Sequence, residues 1–130
     1  MRRSMVVRLA LGVAAGLLLA ACGGGALGYD RPPASIAPDS PTISAMNISF
    51  DRSEIAVRAG EPFILVFENR EAVPHNVSIY TDATLEDRKL DGAMVTGPAT
   101  RWYPVPALAA GTYLFQCDLH PAMSGRVVAS

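Results

Sequence analysis

The stretch Tyr113-Leu114-Phe115-Gln116-Cys117-Asp118-Leu119-His120-Pro121-Ala122-Met123 joins two patterns. Tyr113, Phe115 and Cys117 fall in one phase and Leu114 and Gln116 in the other, the period-two alternation of a half-buried strand. Ala110-Gly111 opens that strand with turn residues. The last seven residues then set out a thiol, an imidazole and a thioether as Cys-x2-His-x2-Met. The chain holds only two histidines. The second, His75, is in phase with Val77 and Ile79, so it too points inward at a strand end. A lone inward histidine is more often a hydrogen-bonded core residue than a ligand. Here two inward candidates meet two more in one short loop, which lifts metal binding well above that ordinary reading. Soft sulfur selects copper, with two imidazoles completing a trigonal plane and methionine as a weak axial donor. The candidate ligands of one copper ion are therefore His75, Cys117, His120 and Met123.

Outward from this stretch the chain reads as strands. In Met46-Asn47-Ile48-Ser49-Phe50 the apolar residues alternate with polar ones, which predicts a half-buried strand with Met46 in the core. Ile55 and Val57 alternate with Glu54 and Arg58, and Ala59-Gly60 supplies a turn. Phe63-Ile64-Leu65-Val66-Phe67 is apolar on both faces, as in a central strand. Val77 and Ile79 alternate with Asn76, Ser78 and Tyr80, and Gly125 to Ala129 makes a last strand. Thr81 to Asp91 is polar and charged and predicts a short helix or a loop, with Asp82, Glu86, Asp87 and Asp91 on a solvated face. Trp102 and Tyr103 read as packing residues, and Met94 as a loop residue. Many short strands with Gly and Pro turns and no sustained helical period point to an all-β, antiparallel sandwich.

The N-terminus sets the compartment. Arg2, Arg3 and Arg8 precede an uncharged apolar run, Leu9 to Ala21, of 13 residues. A spanning helix needs roughly 20, so the run fits the h-region of a secretory signal peptide. It ends Leu19-Ala20-Ala21-Cys22, which resembles the bacterial lipoprotein signal and implies lipidation of Cys22. The organisation expected is a lipoprotein signal peptide over 1–21, a lipid-anchored flexible linker over 22–41 rich in Gly, Pro, Ser and Ala, and one small domain over 42–130. Losing three leader arginines leaves 8 basic against 12 acidic residues, a net charge of about −4 instead of −1. Nucleic-acid binding needs a basic face and is not expected. Membrane attachment remains compatible, because lipid rather than charge would supply it. A Cys22–Cys117 disulfide is not expected, since it would destroy the metal site.

The ligand spacing, the Tyr-x-Phe-x-Cys strand and the upstream Pro74-His75-Asn76-Val77 together resemble the cupredoxins, the type 1 or blue copper proteins. Amicyanin shares this loop spacing, whereas plastocyanin and pseudoazurin place the methionine further on. The resemblance spans roughly Met46 to Ala129 and implies a Greek-key β-sandwich that carries single electrons. It implies that His75 and His120 bind copper through imidazole nitrogen, that Cys117 supplies the short thiolate bond and that Met123 is the long axial ligand. Asn76 matches an asparagine whose side chain ties the ligand loops together and whose N–H points at the cysteine sulfur. Such supporting bonds tune the metal. Leu119 stands where relatives commonly have proline, so its N–H could add a second bond to that sulfur. Redox partners would dock near His120, Pro121 and Ala122, and the protein would act as a monomer in the cell envelope.

Other chemistries fit less well. Methionine is a poor zinc ligand. A dinuclear copper centre needs a second cysteine, and residues 118 to 122 hold none. Multicopper oxidases need more histidines, and no helix precedes Cys117 as a papain-like nucleophile requires, so no enzyme is expected. A lipoprotein that stores or delivers copper without carrying electrons could use the same ligands.

Overall fold

The computed structural model describes residues 25–130. The expected signal peptide and the expected lipid site at Cys22 lie outside the described residues. Among the described residues eight strands form two sheets: β1 (Thr42–Ala45), β2 (Glu54–Val57), β3 (Phe63–Asn69), β4 (Ser78–Tyr80), β5 (Arg88–Leu90), β6 (Ala99–Val105), β7 (Gly111–Gln116) and β8 (Ser124–Ala129). One sheet has the order β1-β3-β6 and the other β2-β8-β7-β4-β5. The all-β sandwich is the expected one, but its sheets are mixed. β1 pairs parallel with β3, and β2 parallel with β8, whereas the other pairs are antiparallel. A parallel pair needs a long crossover. The excursion of the chain through β2, in the opposite sheet, supplies it between β1 and β3.

The core lies between the sheets. Leu65, Phe67 and Tyr103 from one face meet Ile79, Phe115 and Val127 from the other, all fully buried. Phe50 bridges them edge-on, with ring centroids 6.3 Å from Phe67 and 5.6 Å from Phe115. Each such side chain contributes about 1.5–3 kcal/mol by leaving water.

Several local expectations are corrected. Met46 to Phe50 is a tight turn, not a strand, and the strand is the preceding Thr42–Ala45. Met46 and Ser49 exchange backbone hydrogen bonds of 3.0 and 3.2 Å, and Asn47 and Ile48 both have φ of 53°. That is a two-residue hairpin turn of the I′ kind. It leaves Met46 and Ile48 about half exposed, so Met46 is not core. Thr81 to Asp91 contains β5 after its loop. β6, which carries Trp102 and Tyr103, is an edge strand, where Pro104 costs no ladder bond in the sheet interior. The segment read as flexible linker is in part fastened to the domain. The Leu27 N–H reaches Asp91 O at 2.6 Å, Tyr29 and Trp102 exchange backbone bonds of 2.8 and 3.2 Å, and Asp30 pairs with Arg101. No helix among the described residues is long and apolar enough to cross a membrane.

Candidate metal centre

His75 sits just before β4, where its backbone exchanges bonds of 3.0 and 2.8 Å with Val95. Asn69, at the end of β3, secures the intervening loop by donating from Nδ2 to Val73 O at 2.7 Å and Val95 O at 2.8 Å. Cys117 follows β7, whose alternation turns Phe115 and Cys117 into the core. The chain then folds back on itself. The N–H of His120 reaches Cys117 O at 3.2 Å, that of Met123 reaches His120 O at 2.8 Å, and that of Cys117 reaches Met123 O at 2.9 Å.

These two segments bring the ligand atoms of His75, Cys117 and His120 within 4.8 Å of one another. Cys117 Sγ lies 3.8 Å from His75 Nδ1 and 3.7 Å from His120 Nδ1. Nitrogen at about 2.0–2.1 Å and sulfur at about 2.3 Å from one first-row ion, spread at about 120°, stand about 3.8 Å apart. The donor set therefore fits one trigonal ion. Met123, buried at 2 % exposure and joined by backbone bonds to both Cys117 and His120, offers the thioether. Two nitrogens, a thiolate and a thioether are copper's donor set rather than zinc's.

Two carboxylates that sequence reading did not single out support this centre. Glu71 Oε1 accepts from the Ile48 N–H and contacts His75 Nε2, both at 2.8 Å. A carboxylate can only accept, so Nε2 carries the proton and Nδ1 keeps its lone pair for a metal. The Ile48 donation and, with it, His75 hold the Glu71 carboxyl below its ordinary pKa despite some desolvation. The second carboxylate is Asp118. Burial alone would raise its pKa, but hydrogen bonds from Tyr80, Asn76 and Ser78 and the charge of Arg88 outweigh this and lower it. The same burial and the Asp118 charge push the Tyr80 phenol upward. Neither carboxylate follows a periodic pattern, so only the folded loops reveal them.

The buried Asn76 side chain spans the two ligand segments. Its Oδ1 accepts from the Asp118 N–H at 2.9 Å, and its Nδ2 donates to Gly92 O at 2.8 Å and Asp118 Oδ2 at 2.7 Å. A Cβ at Gly92 would overlap the Val77 carbonyl, so only glycine lets that backbone approach so closely. Cys117 is a free, buried thiol. Leu119, Pro121 and Ala122 are exposed around the half-buried His120.

Comparison with known proteins agrees with this geometry. The sequence profile of the cupredoxin-like domain matches residues 14–129. Amicyanin-alpha of Methylorubrum extorquens is 33% identical over 89 residues, covering 68% of this chain and 71% of the relative. Auracyanin-A of Chloroflexus aurantiacus is 28% identical, covering 92% of this chain and 93% of the relative. The solved structure of auracyanin A, described as a "blue" copper protein of that bacterium, shares the fold with a TM-score of 0.63 at 22% identity, over 70% of this chain and 98% of that one. The chain belongs to the cupredoxin-like family, and His75, Cys117, His120 and Met123 form its type 1 copper site.

Proposed function

We infer that this protein is an extracytoplasmic carrier of single electrons. Copper, when bound, exchanges one electron between Cu(II) and Cu(I). The observation that carries the reading is a preformed, largely buried donor set with a single half-exposed edge. His75 and Cys117 are fully buried and Met123 nearly so, whereas His120 reaches the surface. Donors held in place by their own loops need little rearrangement when the charge on the site changes. His120 offers the short path outward, and the apolar Leu119, Pro121 and Ala122 give a partner a surface with little charge to desolvate. Such a patch favours brief, weak encounters by a monomer with redox proteins. The relatives named amicyanin and auracyanin are consistent with this role.

The chain would be held in the envelope by lipid on Cys22. Only Gly23-Gly24-Gly25-Ala26 separates that cysteine from Leu27, which is bonded to the domain. Fully extended, this tether spans at most about 18 Å, so the domain would stay close to the bilayer.

The test uses the Cys22→Ser chain lacking its leader and loaded with copper. It should show an intense thiolate-to-Cu(II) absorption toward the red, narrow hyperfine splitting, a reversible one-electron wave and rapid self-exchange. A copper storage or delivery protein would instead surrender the ion readily to an acceptor. Fast metal transfer with sluggish electron exchange would replace the carrier reading with that one.

A further inference from the structure

We propose that Asp118 is a positioning residue for charge: a carboxylate fixed on the residue next to the thiolate ligand in the chain, which lowers the reduction potential of the copper site. The proposal rests on the copper reading above and adds a determinant of its potential.

Asp118 directly follows Cys117 in the chain. Its carboxylate accepts three hydrogen bonds, from Asn76 Nδ2 and Ser78 Oγ to Oδ2, each at 2.7 Å, and from Tyr80 OH to Oδ1 at 2.6 Å. The donors occupy alternate positions 76, 78 and 80 along β4 and the residue pair before it, and all three are buried. One face of this segment is thus spent on a single carboxylate. A neutral side chain could close the same loop without the cost of a half-buried charge. The donors are themselves neutral, so they hold the charge without cancelling it. The nearby cation is Arg88, whose guanidinium lies 5.0 Å from the Tyr80 ring centroid and is paired with Asp91. A half-buried negative charge is screened less than one surrounded by water. It favours the more positive of two states of a neighbouring centre, here the oxidised one.

The experiment compares copper-loaded wild type, Asp118→Asn and Tyr80→Phe by voltammetry, with visible and electron paramagnetic resonance spectra on the same samples. Asparagine removes the charge and keeps the shape. The Asp118→Asn potential should rise by at least the equivalent of a tenfold shift toward Cu(I), 59 mV for one electron, with the colour retained. Tyr80→Phe keeps the charge but removes a donor that spreads it, so its potential should fall. A merely structural role for Asp118 would leave the potential where it was in a variant of unchanged spectrum. An unchanged or lowered potential in blue Asp118→Asn would therefore overturn the proposal. If that variant does not hold copper, Tyr80→Phe decides: a lowered potential supports the proposal, and an unchanged or raised one overturns it. A wild type without the blue spectrum would instead sink the copper reading itself.

Discussion

Asn76 and Asp118 are bonded to each other twice: the Asp118 N–H donates to Asn76 Oδ1 at 2.9 Å, and Asn76 Nδ2 donates to Asp118 Oδ2 at 2.7 Å. Each is the chain neighbour of a copper ligand, His75 and Cys117. The reciprocal pair therefore fixes the distance between two ligands that lie forty-two residues apart. It does so through groups on neither ligand, so the geometry survives changes at the metal.

Asn76→Ala removes this clasp. It leaves the Asp118 N–H and the Gly92 carbonyl without their partner in a buried setting, at about 1–3 kcal/mol for each unsatisfied group. The copper-free domain should lose about 2 kcal/mol or more, and its thermal midpoint should drop by on the order of 10 °C. Copper should also dissociate faster. Calorimetry and chelator-challenge kinetics check both, and a midpoint within a degree of wild type would show that the clasp is dispensable.

Met123 makes a different kind of contribution. The plane is set by Cys117 and the two histidines, and methionine offers a weak fourth donor. Met123→Leu should keep copper and colour, because Leu conserves the buried volume. Its potential should rise, since the variant loses a donor that helps the oxidised state and the site becomes drier. Voltammetry measures the shift. Loss of copper from this variant would mean that the thioether holds the ion in place.

The ligands were legible because they are rare residue types at a tight spacing, and because period-two alternation assigns His75 and Cys117 to the inward face. The same alternation misled at Met46 to Phe50. Apolar and polar residues alternate there as in a strand, but the segment is a turn, and the signal that distinguishes them is a backbone angle. The partial attachment of the 22–41 segment is not legible in its composition, because Leu27 and Tyr29 join through main-chain bonds. Glu71 and Asp118 were unreadable for a related reason. A loop carboxylate looks solvated until the fold brings buried donors to it.

That turn yields a test of stability. Ile48 is β-branched and half exposed, yet sits at φ 53°. A left-handed conformation costs an L-residue roughly 1–2 kcal/mol. Ile48→Gly would place glycine directly after Asn47, and asparagine followed by glycine is the favoured pair for a I′ turn. Part of the gain returns as unfolded-chain entropy, leaving about 0.5–1 kcal/mol, or several degrees in the thermal midpoint. The Ile48 N–H bond to Glu71 is a backbone donation and persists in the variant. A lower midpoint would show that the isoleucine side chain contributes more than its conformation costs.

Cys22→Ser should move the protein from the membrane fraction to the soluble one. No described helix can cross a bilayer, and the 13-residue apolar run Leu9 to Ala21 is shorter than the roughly 20 residues a span needs. A lipid would then be the attachment. Fractionation followed by immunoblotting decides the point, with salt-washed membranes to remove loosely bound protein. Retention of the serine variant would count against a lipid on Cys22.

Leu119 offers one more test of what sets the potential. The backbone bonds that close the ligand loop come from the N–H groups of Cys117, His120 and Met123, and the Asp118 N–H goes to Asn76. The Leu119 N–H takes part in none of these, and its proposed acceptor is the Cys117 sulfur. A hydrogen bond to that thiolate draws electron density away from copper and disfavours the oxidised state. Leu119→Pro deletes the donor. It should cost little stability, because the side chain is 52% exposed. The potential should fall while the visible band keeps its position and intensity, opposite in sign to Met123→Leu and to Asp118→Asn. The opposite signs matter, because general loosening of the loop would push all three variants the same way. An unchanged or higher potential in Leu119→Pro, with the spectrum intact, would remove its N–H from the set of groups that tune the copper.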